Sequence, residues 1–203
     1  MNIAVIGSGS IGSTLGRKWA RAGHSVVFGS RTPEGAEMRA LLSEIGRNAT
    51  SGTVAEATAS AEVVLFAIPG RAMDETSRAA ADGLAGKTLI DATNRVGAPT
   101  MNSLELLRSI APGSSVYRAS NSLGWENFEQ PVVGGIQADL FFAGPAGPAS
   151  PTVERLIAEI GLKPVYLGGP EKSALVDALT QVWFTLAFER KAGRRLALKV
   201  LSE

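Results

Sequence analysis

The chain has no cysteine and only one histidine among its 203 residues. The lack of cysteine excludes disulfides, thiolate metal sites and a cysteine nucleophile, and it fits the reducing cytoplasm. The single histidine, His24, falls in the helix-to-strand turn of the segment AGHSVV. We therefore predict that His24 lies at the surface, that no histidine acts as an acid or base, and that the chain holds no metal.

Long apolar runs and an excess of one charge are also missing. The most apolar stretch near the C-terminus, residues 182–188, is far shorter than the roughly 20 residues that span a bilayer. The N-terminus shows no secretory signal, and 20 Lys and Arg nearly balance 19 Asp and Glu. A neutral surface argues against nucleic acid as a partner. We expect a soluble, cytoplasmic protein that binds small molecules and no membrane.

Short β-rich runs alternate with helical stretches through the first two-thirds of the chain, as in a parallel sheet covered by helices. We predict an α/β fold: a Rossmann-like, doubly wound, mostly parallel sheet over residues 1–145. A small C-terminal α/β extension, residues 146–203, ends in a long helix. The predicted strands cover 3–6, 25–28, 52–54, 63–68, 88–91, 116–119, 140–143 and 165–167. The predicted helices cover 10–21, 71–83, 101–110, 152–160 and 171–191, and a further helix begins at Pro33 with Thr32 as its N-cap.

The hexapeptide Gly7-Ser8-Gly9-Ser10-Ile11-Gly12 matches the pattern G-x-G-x-x-G. A buried strand precedes it and an amphipathic helix follows it, which favours a phosphate loop over a simple glycine turn. Gly7 permits a tight turn, Gly9 lets backbone N–H groups approach a pyrophosphate, and Gly12 lets the helix pack on the strand. The start of the helix adds free N–H groups and a positive dipole end.

The end of the second predicted strand indicates which dinucleotide the loop prefers. A fold that prefers NAD has Asp or Glu there, whereas this chain has Gly29-Ser30-Arg31-Thr32. Arg31 can pair with a 2′-phosphate through two hydrogen bonds and stack on adenine, and Ser30 and Thr32 can donate further bonds. We place Glu34 in the first helical turn, where it complements the helix dipole. NADP is favoured over NAD; the alternative is that Arg31 is a solvated loop residue.

Ligands of doubly wound sheets lie beyond the carboxyl ends of the strands. At these ends we expect Ala67, Ile68 and Pro69 to press the nicotinamide ring from one side. Asn94 or Asn121 would bind its carboxamide, or would only close an Asx-turn. We predict no catalytic side chain, because the chain lacks a Tyr-x-x-x-Lys pair to take the proton of an alcohol. Hydride exchange between two ring cofactors needs mainly positioning and fits such a pocket.

The chain resembles the coenzyme F420-dependent NADP oxidoreductase family nearly end to end. The resemblance lies in the segments IAVIGSGSIGSTLGRKWARAGHSVVFGSR, VVLFAIPG, LIDATN, SNSLGWENF and ALTQVWF…LALKVL. It implies that the GSR element, through Ser30, Arg31 and Thr32, holds the 2′-phosphate of NADP(H). It also implies hydride transfer to F420 or a flavin-like acceptor, in a cleft that residues 146–203 complete. Ile68 and Pro69, with Asn121, Ser122 and Leu123, would line the acceptor's side of that cleft.

An apolar helical stripe near the C-terminus has two interpretations, core packing or a subunit interface. Resemblance to a dimeric family favours a homodimer. The stripe consists of Leu175, Leu179, Val182, Trp183 and Leu186.

Two other functions remain open from the sequence. One is an NADPH-dependent reductase of a small imine or carbonyl compound, and the other is a non-enzymatic sensor that binds NADP(H). Turnover separates the sensor from both enzymes. A sensor binds NADPH but does not oxidise it, whichever acceptor is added.

Overall fold

The computed structural model describes residues 1–202. The chain forms two compact units, Met1–Tyr117 and a second unit that starts at Arg118. The sequence predicted a boundary between residues 145 and 146, with cofactor binding before it and the acceptor cleft and dimer interface after it. This division by function stays a prediction.

A six-stranded sheet has the order β3-β2-β1-β4-β5-β6, which is the order of the Rossmann fold. The pairs β1–β2, β1–β4, β2–β3 and β4–β5 are all parallel. This confirms the predicted fold class. The strands are β1 (Asn2–Ile6), β2 (Ser25–Gly29), β3 (Ala49–Gly52), β4 (Val63–Phe66), β5 (Thr88–Asp91) and β6 (Ser115–Arg118).

The register of this sheet aligns the carboxyl ends of its central strands. Ile6, the last residue of β1, pairs with Gly29 of β2 and with Phe66 of β4. Phe66 in turn pairs with Asp91, the last residue of β5. The loops that follow these strands therefore leave the sheet from one row, where ligands of this fold bind.

Helices connect the strands of the first unit. Helix α1 buries Leu15 and Trp19, four residues apart on one face, and Gly23 follows it with φ of +93°, a conformation that favours glycine. The bounds are α1 (Ser10–Arg21), α2 (Ala36–Ile45), α3 (Val54–Ser60), α4 (Met73–Ala79) and α5 (Leu104–Ile110). Single 3₁₀ turns, Gly70–Ala72 and Ala81–Gly83, flank α4 where the sequence predicted one continuous helix.

The second unit contains the predicted C-terminal extension. Its strands are a short antiparallel hairpin, β7 (Val132–Val133) and β8 (Ile136–Gln137), and a parallel pair, β9 (Asp139–Phe142) and β10 (Lys163–Tyr166). Its helices are α6 (Trp125–Glu129), α7 (Ser150–Glu159) and α8 (Ser173–Phe184). A π-helical turn, Thr185–Glu189, extends α8, and this confirms the long terminal helix.

The predicted helix start at Pro33 is wrong, because α2 begins at Ala36 with Gly35 as its N-cap. The segment before it is a turn in which the N–H of Gly35 donates to the carbonyl of Thr32 (3.0 Å). The hydroxyl of Ser51 in β3 donates to the carbonyl of Pro33 (2.8 Å) and holds that turn against the strand. Thr32 therefore caps no helix, and Glu34 lies outside the first turn of α2.

The predicted strand over 52–54 and the predicted surface position of His24 are also wrong. Strand β3 ends at Gly52, and Thr53 caps α3 through a capping box with Glu56, a reciprocal pair of side-chain hydrogen bonds. His24 is only 6% exposed. Its Nδ1 lies 3.4 Å from the amino group of Met1, since β1 and β2 begin side by side and the N-terminus covers the turn.

Two expected absences concern membranes and metals. Within residues 1–202, no helix combines the length and apolar character needed to cross a bilayer. The same residues contain no group of three or more His, Cys, Asp or Glu side chains arranged to hold a metal ion.

Candidate functional site

A cavity of about 520 Å³ opens in the first unit where β1, β2 and β4 end. Its volume lies in the range of small-molecule and cofactor pockets. Eight of the residues predicted for the cofactor line it together: Gly7, Ser8, Gly9, Ser30, Arg31, Ala67, Ile68 and Pro69. The structure thus brings together, in one cavity, the loops after three different strands.

The glycine loop follows β1 and needs glycine at its first and last positions for the fold itself. Gly7 has φ of +104°, and a Cβ there would lie 2.6 Å from the carbonyl oxygen of Ala67. A Cβ on Gly12 would lie 2.0 Å from the carbonyl oxygen of Gly7. Side chains at these two positions would therefore break the turn or push α1 away from it.

Gly9 differs, because its backbone is extended (φ −68°, ψ −175°) and nothing lies within 4 Å of where its Cβ would be. The fold therefore tolerates a side chain at this position. The open space beside Gly9 belongs to the cavity, so only a bound ligand would require glycine here.

The start of α1 presents backbone hydrogen-bond donors that suit an anion. Gly9 is the N-cap and makes no side-chain cap bond, and the first helical bond runs from the N–H of Ser13 to the carbonyl of Gly9 (2.8 Å). The N–H groups of Ser10, Ile11 and Gly12 therefore have no acceptor within the helix. No acidic residue stands in the first turn, so the positive end of the dipole remains available to a phosphate.

The loop after β2 presents a free guanidinium to the same cavity. The N–H of Ser30 donates to the carbonyl of Gly52 (3.0 Å), and the Ser30 hydroxyl accepts from the N–H of Thr32 (3.1 Å). These bonds fix the backbone on both sides of Arg31. The Arg31 side chain is exposed and makes no ion pair or hydrogen bond among the described residues, whereas Thr32 points outside the cavity lining.

The ends of β4 and β5 contribute differently. Residues 67–69 line the cavity, whereas Asn94 does not. The carbonyl oxygen of Asn94 lies directly behind Gly70, 2.6 Å from where a Cβ on Gly70 would be. Asp91, fully buried, accepts from the N–H and hydroxyl of Thr93 (2.9 and 2.6 Å) and from the N–H of Ser103 (2.7 Å). Asp91 thus holds the loop after β5 in shape.

The wall that the sequence did not predict is formed by the segment after β4. Arg71, Ala72, Glu75, Thr76 and Ala79 line the cavity, as does Val54 from the start of α3. Their spacing of three and four residues is that of one helix face. This spacing could have been found in the sequence, because the predicted helix over 71–83 follows a strand that ends at the site, and one face of that helix must lie toward the cavity.

The residues predicted for the acceptor, Asn121, Ser122 and Leu123, lie in the second unit and are buried. The amide of Asn121 donates to the hydroxyl of Thr180 in α8 (2.7 Å). The Ser122 hydroxyl is buried and has no hydrogen-bond partner among residues 1–202. Their role toward an acceptor stays a prediction.

The cavity has few ionisable side chains. Its ionisable side chains are Arg31, Arg71 and Glu75, and all three are exposed. The cavity therefore offers anion-binding groups at one end and an apolar surface at the end of β4.

The chain is similar to known proteins over nearly its whole length. Residues 2–95 match the family described as NADP oxidoreductase, coenzyme F420-dependent. The F420-dependent NADP reductase of Methanothermobacter thermautotrophicus is 29% identical over 220 residues, which cover 97% of this chain and 94% of that protein. A crystal structure of a candidate F420-dependent NADP reductase from Arthrobacter sp. FB24 superposes with a TM-score of 0.86 at 25% identity, over the full length of both chains.

A more distant structure shares the fold alone. It is a reductive aminase from Aspergillus terreus in complex with NADPH and ethyl levulinate. It superposes with a TM-score of 0.70 at 23% identity, over 91% of this chain and 61% of that one.

Proposed function

We propose that this chain, whose residues 2–95 match the coenzyme F420-dependent NADP oxidoreductase family, transfers a hydride between NADP(H) and a deazaflavin or flavin-like acceptor. The observation that carries the proposal is the pairing, in one cavity, of an open helix N-terminus with the free guanidinium of Arg31. These are the two groups that a dinucleotide with an additional phosphate requires.

In this proposal the pyrophosphate binds at the start of α1. The N–H groups of Ser10, Ile11 and Gly12 point out of the helix end and donate to its oxygens. Gly9 has no side chain, so the phosphate can approach the backbone. The bonding costs little reorganisation, because the loop is already held by the hydrogen bond from the N–H of Gly7 to the carbonyl of Gly29 (3.1 Å).

Arg31 would hold the 2′-phosphate, with the Ser30 hydroxyl beside it. A guanidinium and a phosphate form two parallel charge-assisted hydrogen bonds. The residues at the end of β2 that line the cavity are Gly29, Ser30 and Arg31. None of them has a carboxylate that would repel the phosphate. This arrangement supports a preference for NADP over NAD.

Ala67, Ile68 and Pro69 would position the nicotinamide at the end of β4. When bound, NADPH supplies the hydride, and solvent supplies the proton that a deazaflavin or flavin-like ring also takes up. The chain's own contribution is to press the ring from one side and to exclude water from that face. The role predicted for Asn94, a bond to the carboxamide, and that of Asn121, Ser122 and Leu123 at the acceptor remain parts of this proposal.

Assembly as a cytoplasmic homodimer is a further part of the proposal. Within the predicted stripe, Trp183 is buried, whereas Leu175 and Val182 are 51% and 47% exposed. Phe188, beyond the stripe, is 51% exposed. Exposed apolar residues on a terminal helix support a two-fold interface, and light scattering of the purified chain measures whether the mass is that of two chains.

The test of the function is turnover with defined acceptors. We expect the purified chain to oxidise NADPH when F420 is added, with loss of the absorbance of oxidised F420. Free FMN, FAD and a cyclic imine serve as comparison acceptors. Turnover of the imine alone would show that the acceptor is an imine and not a deazaflavin or flavin. Tight NADPH binding with no turnover on any acceptor would contradict an enzymatic function.

A further inference from the structure

The wall formed by α4 has a composition that fits a flat ring with one polar edge. Besides Arg71, four residues of the 3₁₀ turn before α4 and of α4 itself line the cavity, at positions 72, 75, 76 and 79. Ala72, Thr76 and Ala79 are small, so they leave room for a ring to lie against the helix. Glu75 projects beside them and is the one acid among the described lining residues.

Glu75 is free to bind a ligand. Its side chain is exposed and makes no ion pair or hydrogen bond among the described residues. Arg71 precedes it by four residues, a spacing at which opposite charges can pair, yet the two side chains form no ion pair. By contrast, its neighbour Asp74, which does not line this cavity, pairs with Arg95 at 2.5 Å.

A carboxylate in a phosphate-binding cavity must face a part of the ligand that donates hydrogen bonds. Facing a phosphate, Glu75 would weaken binding by repulsion between like charges. The adenosine half of NADP offers two kinds of donor, the 6-amino group of adenine and the 3′-hydroxyl of the ribose. The ribose is tied by its 2′-phosphate to Arg31 in the loop after β2, whereas Glu75 follows β4, on the other side of β1.

We propose that Glu75 reads the base: its carboxylate accepts a hydrogen bond from the 6-amino group of adenine while the ring lies on Ala72, Thr76 and Ala79. This inference rests on the proposed function, since it assumes NADP in the cavity. It makes the site selective for adenine, in addition to the selectivity for phosphate that Arg31 provides.

A double-mutant cycle between Glu75 and the amino group tests the assignment. The ligands are NADP and its hypoxanthine analogue, nicotinamide hypoxanthine dinucleotide phosphate, which has a carbonyl oxygen in place of the 6-amino group. The proteins are the wild type and Glu75→Ala. A hydrogen bond to a charged group corresponds to about a 10- to 100-fold change in Kd, so we expect Glu75→Ala to weaken NADP by about 10-fold and to change binding of the analogue by less than about 3-fold.

Two controls complete the experiment. Glu75→Gln keeps the size of the side chain and can both donate and accept, so it should bind the two ligands with nearly equal Kd. Glu105→Ala removes an exposed acid of the same unit that lies outside this cavity, and both Kd values should stay as in the wild type. Thermal melting checks that every variant is folded.

The outcomes separate this inference from the proposed function. If Glu75→Ala weakened the binding of both ligands equally, the carboxylate would be assigned to the ribose. If both ligands bound more tightly to the variant, Glu75 would only repel the phosphates. Either result overturns the hydrogen bond between Glu75 and adenine. If the wild type binds neither ligand, the proposed function fails as well. Binding of NADP by the wild type with no coupling to Glu75 overturns the inference and leaves the function standing.

Discussion

At the scale of single residues, the glycine loop separates what the fold needs from what a ligand needs. Gly7 and Gly12 are fixed by contacts within the chain, since a Cβ at either would come too close to a carbonyl oxygen. Gly9 is fixed by nothing in the chain. The open space beside it suits a phosphate that approaches the backbone closely.

This difference predicts opposite results for two alanine substitutions. Gly9→Ala should leave the melting temperature nearly unchanged and weaken NADP by about 1.5–3 kcal/mol, the range for hydrogen bonds to charged groups. Gly12→Ala should lower the melting temperature, because its Cβ would lie 2.0 Å from the Gly7 oxygen. Calorimetric titration and thermal melting of both variants measure this. Unchanged NADP affinity in Gly9→Ala would show that the phosphate binds elsewhere.

Arg31→Ala tests the choice of cofactor at the same scale. Loss of the guanidinium should weaken NADP by about 1.5–3 kcal/mol and leave the affinity for NAD almost the same, since NAD has no 2′-phosphate. Arg78→Ala is the matched control, an exposed arginine outside the cavity lining. The assignment of Arg31 is contradicted if both dinucleotides lose affinity equally.

Local patterns predicted the phosphate loop and Arg31 because each depends on a short segment beside a strand end. They did not predict Glu75 and Thr76, which reach the cavity through the direction in which α4 leaves β4. The placement of Thr32 as an N-cap failed for a similar reason. The bond from the Ser51 hydroxyl to Pro33 comes from a residue 18 positions away, which no local pattern contains.

At the scale of elements, the parallel register of β1, β2 and β4 assembles the site. The sequence predicted these strands well because continuous apolar runs mark strands buried on both faces. Helix α3 was missed, since seven residues are too few to show a periodic apolar face. Its start is instead fixed by the capping box of Thr53 and Glu56, and Val54 at that start lines the cavity.

The capping box predicts a pH-dependent contribution to stability. Hydrogen bonds from the backbone N–H and the hydroxyl of Thr53 lower the pKa of Glu56, so its stabilising effect is present above the pKa of an unfolded glutamate. That effect is lost as the pH falls through the lower, folded value. Glu56→Gln should therefore destabilise the chain near neutral pH and much less in acid, as measured by urea unfolding. An equal loss at both pH values would contradict the role of the charge.

A buried ion pair in the second unit gives the largest expected effect on stability. Arg118, at the end of β6, donates to Asp177 of α8 at 2.7 Å, and the Arg118 side chain is fully buried. Asp177→Ala would leave a buried charge and should cost about 3–5 kcal/mol of unfolding free energy. The double variant Arg118→Met, Asp177→Leu should recover much of this loss. A cost below about 1 kcal/mol for Asp177→Ala would show that the pair is effectively solvated.

At the scale of the whole molecule, the fold and the resemblance to the family were accessible from the sequence, whereas the acceptor was not. The match to the family lies within residues 2–95, and the first five of the six strands of the sheet lie within the same residues. The residues predicted for the acceptor lie beyond these positions. Their side chains are buried, and the contacts of Asn121 with Thr180 join residues that are 59 positions apart.

In the proposed function, the first unit binds a phosphorylated nicotinamide dinucleotide through the start of α1 and Arg31. The most direct test is calorimetric titration of the purified chain with NADP and, in parallel, with NAD. We predict saturable binding of one dinucleotide per chain, with a clearly lower Kd for NADP. Absence of binding heat with both dinucleotides, or tighter binding of NAD, would contradict the account.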